Sequence, residues 1–344
     1  NEILHIYSAF SNDKEHHMPD LPVQYADYSA WQRKWLSGKT LQKQLDYWNT
    51  QLDGAPPVLE FPLDHPRPSF QTYNGDYLLF TIGSDTRKQI KERCQQADVT
   101  EFMFLMSVFI LLLHKYSGQD DICVGTPIAN RNRSETEQLI GFFINTLVIR
   151  GDLSGNPSFA ELLQRVKERT LGAYDHQDIP FETLVETLQP ERDMSHSPFF
   201  QTMFVLNNAP VGALQMEGLK LELLDIENKT SKFDLIFNLT DTEKGYNGKL
   251  EFNTDLLGEV TVKRFREHYK RLLEAVLNDN TRTLSEYSLL TEADLAHLNA
   301  WAVSEKQYDQ PGTVTEALAN TAASRPDAPA LRILDQNLTY PELN

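Results

Sequence analysis

The sequence predicts an α/β fold, a mixed sheet covered by helices, and three observations predict it. A strand–helix–helix–strand order runs from Tyr77-Leu-Leu-Phe-Thr-Ile82 to Ile122-Cys-Val-Gly-Thr126. Short strand patterns at 201–207, 219–226, 233–241 and 248–254 then follow closely on one another. A helix over 258–278 closes the body, with Val262, Phe265, Tyr269, Leu272, Leu273 and Val276 on one stripe. Half-apolar strands beside amphipathic helices bury their apolar faces by stacking in layers.

Each element has its own signal. Residues 1–54 read as mostly helical: Ile3, Leu4, Tyr7 and Phe10 share a face, and Tyr28, Trp31 and Trp35 recur at helical spacing. Pro56, Pro57, Pro62, Pro66, Pro68 and Gly75 make 55–75 an irregular connection. Ser84 is placed to cap a helix over 85–97, and Thr100 a buried one over 101–116. After a polar loop at 129–138, the segment 142–149 reads as a strand apolar on both faces, as a central strand is. Helices are expected at about 158–175 and 181–188. The short spacing of the later strands favours antiparallel pairing. Composition turns linker-like around 303–312, and a new pattern starts at Thr313, so 344 residues suit about two domains.

Composition excludes several functions. With 32 basic against 49 acidic residues the net charge is −17, which disfavours nucleic acid and anionic membrane surfaces as partners. Cys94 and Cys123 are too few for a disulfide framework or a structural zinc site, so no metal is expected. Free thiols suit a reducing cytoplasm. The opening Asn1-Glu-Ile-Leu-His shows no signal-peptide pattern, and the longest apolar run, 102–113, is too short to span a bilayer.

Four short motifs stand in order: Tyr25-Ala-Asp-Tyr-Ser-Ala-Trp31, Ile140-Gly-Phe-Phe-Ile-Asn-Thr146, His176-Gln-Asp-Ile-Pro-Phe-Glu182 and Arg192-Asp-Met-Ser-His-Ser-Pro198. Read alone, the first is a helix start whose aromatic rings pack and whose Asp27 favours the positive helix end. Asn145 is the polar exception in an apolar segment, and it either locks a neighbouring loop or lines a channel. The third motif reads as a joint between helices, with Asp178 as N-cap and Phe181 buried. His176 has no nucleophile or metal-ligand spacing around it. Ser195 lacks the strained elbow of a nucleophilic serine and reads as turn chemistry before a strand.

Together the motifs resemble the second half of a condensation domain of a nonribosomal peptide synthetase. Ser231-Lys-Phe-Asp-Leu235 and Leu250-Glu-Phe-Asn-Thr-Asp255 extend the resemblance, which covers about residues 1–300. It implies a fold like chloramphenicol acetyltransferase, two lobes in a V with a tunnel between them. Here 1–75 would be the tail of the donor-side lobe with its linker, and 76–300 the acceptor-side lobe. Residues 301–312 would be a second linker. Residues 313–344, ending in Leu338-Thr-Tyr-Pro-Glu-Leu343, would open an adenylation domain without its nucleotide loop. Residues 125–141 match the loop that floors the tunnel, and about 208–231 the latch that reaches the other lobe.

The resemblance also implies chemistry. An acceptor α-amine attacks a donor thioester, both held on 4'-phosphopantetheine arms that carrier proteins deliver, and the domain itself binds no cofactor. Partners would be upstream and downstream carriers, the adjoining adenylation domain and the donor-side lobe. The catalytic signature, His-His-x-x-x-Asp-Gly, should precede all four motifs. His16-His-Met-Pro-Asp20-Leu21 departs from it in spacing and in its last residue, and reads as a solvated loop. The chain is thus expected to be an acceptor-side part with no catalytic residue of its own, inactive alone. Arg131 of Gly125-Thr-Pro-Ile-Ala-Asn-Arg131, with Arg133 second, is the candidate partner of the signature's aspartate. Without that aspartate the arginine should be unpaired or solvated, and both arginines could simply be solvated beside Glu135 and Glu137. Arg131, Asn145, Asp178 and Ser195 are the active-site-supporting candidates. An epimerisation domain, a non-catalytic carrier-docking platform and a coenzyme A acyltransferase are the alternatives. The adenylation-like tail speaks against the first and the last.

Overall fold

A computed structural model describes residues 2–13, 15, 18, 20–190, 193–208, 228–302, 312–334 and 336–343. His16, His17, Arg192, the expected strand 219–226, most of the latch segment and most of the 303–312 linker lie outside the described residues. The chain divides into two compact units, Asn1–Leu289 and Leu290–Asn344.

In the first unit, α1 (Glu2–Ser11), α2 (Tyr25–Trp35) and α3 (Gly38–Leu52) precede the 55–75 connection. The β-α-β run follows as β1 (Gly75–Gly83), α4 (Ser84–Ala97), α5 (Glu101–Ser117) and β2 (Asp121–Ile128). Thr100 caps α5, its hydroxyl accepting the Met103 N–H at 3.2 Å, and Gly118 ends the helix in a left-handed conformation. Every residue from 103 to 113 of α5 is buried, because α4, α6 and α8 surround it as well as the sheet. Next come β3 (Asn145–Asp152), α6 (Phe159–Asp175), α7 (Phe181–Leu188), β4 (Thr202–Asn207), β5 (Leu235–Thr242), β6 (Gly245–Asn253) and α8 (Glu259–Asn278). All six stripe residues expected on α8 are buried.

The strands form one mixed sheet in the order β1-β6-β5-β4-β2-β3. Three local readings change. The pair β4/β5 is parallel, Thr202 standing opposite Leu235 and Asn207 opposite Thr240. Residues 208–234 separate these strands, which is long enough for the crossover that a parallel pair needs. Second, β3 starts at Asn145 rather than 142 and lies at a sheet edge. Its partner β2 ends at Ile128, opposite Asn145, so nothing remains for residues 142–144 to pair with. It is apolar on both faces because α6 packs against it. Third, Ser84 is the first residue of α4 and Gly83 the cap, since Gly83 is still held extended opposite Gly245.

Gly245 closes the β5/β6 hairpin at φ +127°, and a Cβ there would sit 2.0 Å from the Ile82 carbonyl oxygen. Strain and a clash with backbone add up, so Gly245→Ala should cost about 3 kcal/mol. Urea unfolding checks this: the midpoint falls while the slope stays unchanged.

The second unit holds α9 (Glu292–Ala302), α10 (Val314–Ser324), a hairpin of β7 (Pro329–Ile333) and β8 (Gln336–Thr339), and the short α11 (Tyr340–Leu343). Thr313 and Glu316 cap α10 reciprocally, at 2.8 and 3.1 Å. Among the described residues no single helix is long and apolar enough to cross a membrane.

Candidate functional site

The motifs that stand apart in sequence meet in the first unit. Asp27 accepts the Gln24 N–H at 2.9 Å and so closes the first turn of α2. That helix presents Tyr25, Tyr28, Trp31 and Trp35 as a ladder of rings with centroids 5.2–6.2 Å apart. Phe143 of the second motif lies against two of them, 5.3 Å from Tyr25 and 4.8 Å from Tyr28. The neighbouring Gly141 makes this approach possible, because a Cβ there would meet the Tyr25 ring at 2.2 Å. The Tyr25 hydroxyl donates to the Phe142 carbonyl at 3.0 Å. With Leu139 and Phe143 turned inward, the alternate residues Ile140, Phe142 and Ile144 face out, 83%, 76% and 62% exposed.

Asn145 joins the second motif to the third. Its amide nitrogen donates to the carbonyls of Gln177 (2.9 Å) and Ile179 (2.7 Å). Its oxygen accepts the N–H groups of Thr146 (2.8 Å) and Phe181 (3.0 Å). These bonds tie Asn145 to the 177–181 loop. The first N–H of α7 is thereby satisfied, so Asp178 is not its cap. Pro180 takes the N-cap position, and Asp178 accepts instead from the Gln44 amide of α3 at 3.3 Å. Burial pushes the Asp178 carboxyl up, against the opposing pull of Arg133 and His176. Burial also raises the Tyr28 phenol, with Asp178 and Tyr25 adding to it.

His176 is a structural residue of the joint. Its Nδ1 lies 2.8 Å from the Gly172 carbonyl, its ring stacks on Tyr47 at 4.1 Å, and its own carbonyl accepts the Trp48 indole N–H at 2.8 Å. Arg131 is neither unpaired nor fully solvated. It donates to the carbonyls of Thr136 and Glu137, and its guanidinium lies 4.2 Å from the Phe143 ring centre. Arg133 stacks over Trp31 at the same distance. Planar cations cover aromatic faces readily, and backbone carbonyls supply acceptors where no carboxylate is at hand.

The third motif reaches the aromatic pair that follows the fourth, the Phe181 ring lying 5.6 Å from Phe200 and 6.3 Å from Phe199. The Ser195 N–H donates to Asp193 at 2.7 Å, which holds that carboxyl below its usual range. Ser195 is thus part of a turn closed by the Asp193 carboxylate, which its hydroxyl also meets. Two side chains that sequence reasoning missed secure this region. Gln201 accepts the Leu59 N–H at 2.7 Å and donates to the Ser197 and Pro57 carbonyls at 3.0 and 3.2 Å. Arg67 forms a two-point pair with Asp234 (Nη1 to Oδ1 3.0 Å, Nη2 to Oδ2) and reaches the Ser195 carbonyl. The only hint in the sequence is an arginine within the proline-rich connection and an aspartate in Ser231-Lys-Phe-Asp-Leu235.

This arrangement is a scaffold. Burial pushes the Cys94 and Cys123 thiols up to about 12, so neither is a ready nucleophile at neutral pH. Among the described residues no group of three His, Cys, Asp or Glu side chains could hold a metal ion.

Comparison with known proteins bears on the motifs as a set. The family model described as "Condensation domain" matches residues 1–299. A linear gramicidin synthase of Brevibacillus parabrevis is 43% identical over 347 residues, covering the whole chain but only 7% of that protein. The X-domain from teicoplanin biosynthesis superposes with a TM-score of 0.77 at 24% identity, covering 84% of this chain and 67% of that one. A four-domain nonribosomal peptide synthetase, holo-AB3403, superposes at 0.76 with 22% identity, over 90% of this chain and 25% of that one. At such identities the superpositions establish the fold, and the family match establishes membership. This chain belongs to the condensation-domain family of nonribosomal peptide synthetases.

Proposed function

We propose that the chain is the acceptor-side part of a condensation domain that joins an aminoacyl or peptidyl thioester donor to an aminoacyl acceptor. The observation that carries this is the joining of the first three motifs, and of the aromatic pair that follows the fourth, into one network, whose outer surface is the exposed row Ile140, Phe142 and Ile144. Three large apolar side chains at alternate positions of an extended segment suit a surface that another part of the domain covers. The donor-side lobe fits that role, and the superposed X-domain has about a third of its length without counterpart here.

In the reaction the acceptor α-amine attacks the donor carbonyl, a C–N bond forms, the C–S bond breaks, and the released thiol takes up the proton. Both arms are 4'-phosphopantetheine on upstream and downstream carriers, so the domain's first contribution is to hold two tethered reactants together. A general base for the amine belongs to the His-His-x-x-x-Asp-Gly signature, which these 344 residues do not contain. The 129–144 loop and α2 would border the tunnel, and the adenylation-like tail would continue toward the domain that loads the acceptor carrier.

Reconstitution tests this. The chain with both loaded carriers should yield no dipeptidyl product by intact-carrier mass spectrometry. The same chain joined to a donor-side segment bearing the signature should yield it. Turnover by the chain alone, or none by the joined protein, overturns the reading.

A further inference from the structure

Gln44 is 5% exposed, and among the described residues its amide oxygen has no hydrogen-bond partner. Its amide nitrogen donates to Oδ2 of Asp178 at 3.3 Å. A carboxylic acid and a primary amide are complementary at two points: the amide N–H reaches the acid carbonyl, and the acid O–H reaches the amide carbonyl. The first of these bonds is present. The group missing from the second is a donor, and an ionised carboxylate has none whereas a protonated one has one. A buried acceptor beside a carboxyl that could satisfy it argues that the proton is there.

The surroundings agree. Three titratable or charged groups face Asp178: Tyr28 from α2, Arg133 from the 129–144 loop and His176 from its own segment. Arg133 is engaged over the Trp31 ring, and His176 directs Nδ1 to the Gly172 carbonyl. The net effect of burial and these neighbours is to raise the Asp178 carboxyl.

We propose that Asp178 and Gln44 form a two-point acid–amide clasp that seats the 177–181 loop on α3 while the carboxyl keeps its proton, and loosens when the proton leaves for solvent. Asn145 holds the same loop from the other side, so the clasp governs how tightly the joint closes rather than whether it forms. It is a pH-sensitive element within the motif network, and testing it needs no turnover, so its failure would leave the condensation reading standing.

The test is thermal unfolding of the whole chain against pH, for the wild type, Asp178→Asn and Asp178→Ala. An asparagine carries an N–H where the acid carries its O–H, so it keeps both bonds at every pH. A carboxyl raised in the folded state is protonated there over a window in which the unfolded chain has lost the proton. Wild-type stability therefore falls as pH rises from the ordinary aspartate range, about 4, through the raised folded value. The Tm of Asp178→Asn relative to wild type should rise across that window by about 2–4 °C and then level off. Asp178→Ala should lie below both at low pH. Amide exchange in 177–181, corrected for its intrinsic pH dependence, should quicken several-fold in wild type across the same window and not in Asp178→Asn. An asparagine variant that loses ground to wild type as pH rises would mean that Asp178 acts as an ionised partner of Arg133, and a difference independent of pH would mean no clasp. Either result overturns the proposal.

Discussion

Arg67→Met should destabilise the first unit by about 3–5 kcal/mol. The Arg67 and Asp234 side chains are only 18% and 11% exposed, and the guanidinium meets the carboxylate at two points. Removing the cation leaves a carboxylate in a place that water reaches poorly, and most of the loss comes from that stranded charge. Arg67 also reaches the Ser195 carbonyl, so the 55–75 connection should loosen from the fourth motif as well. The double variant Arg67→Met/Asp234→Leu separates the two contributions, because it strands nothing and should recover most of the stability. Urea unfolding of the three proteins decides it. A single variant within about 1 kcal/mol of wild type would show that the pair is solvated in practice.

Asn145→Leu should be nearly as damaging, at roughly 4 kcal/mol, because one side chain serves two carbonyls and two N–H groups. Leucine has similar size and satisfies none of them, so four backbone groups of a mostly buried joint lose their partner together. For a unit of this size the Tm should fall on the order of 10 °C. Asn145→Asp grades the effect: it can still accept from Phe181 and Thr146, but it turns a carboxylate toward two carbonyl oxygens. Faster exchange of the Phe181 amide locates the damage at the joint. A leucine variant with wild-type stability would show that the loop is held by other contacts.

The sequence made legible what local chemistry determines. The α5 cap could be read because Thr100 bonds three residues ahead, and the α8 stripe because its period alone marks the buried face. Asp178 misled because an aspartate two residues before a proline looks like a helix cap. The capping acceptor actually comes from Asn145, 36 residues before the Phe181 N–H that it accepts. The parallel β4/β5 pair was hidden by the reading of 219–226 as an intervening strand, which lies outside the described residues. Arg67 and Gln44 went unnoticed since their partners are 167 and 134 residues away and each residue is unremarkable in its own neighbourhood. The motif network could be recognised only as an ordered set, and its individual bonds required coordinates.

Asn145 addresses the third motif entirely through main-chain atoms, the carbonyls of Gln177 and Ile179 and the N–H of Phe181. The four Asn145 bonds are thus indifferent to which side chains those positions carry and sensitive to how many residues lie between them. Substitutions at 177 or 179 leave the hydrogen bonds in place, whereas a one-residue insertion or deletion there moves every acceptor out of reach. Anyone grafting this segment between relatives, to alter what a synthetase assembles, must preserve its length as strictly as the side chains that pack, Ile179 and Phe181 among them.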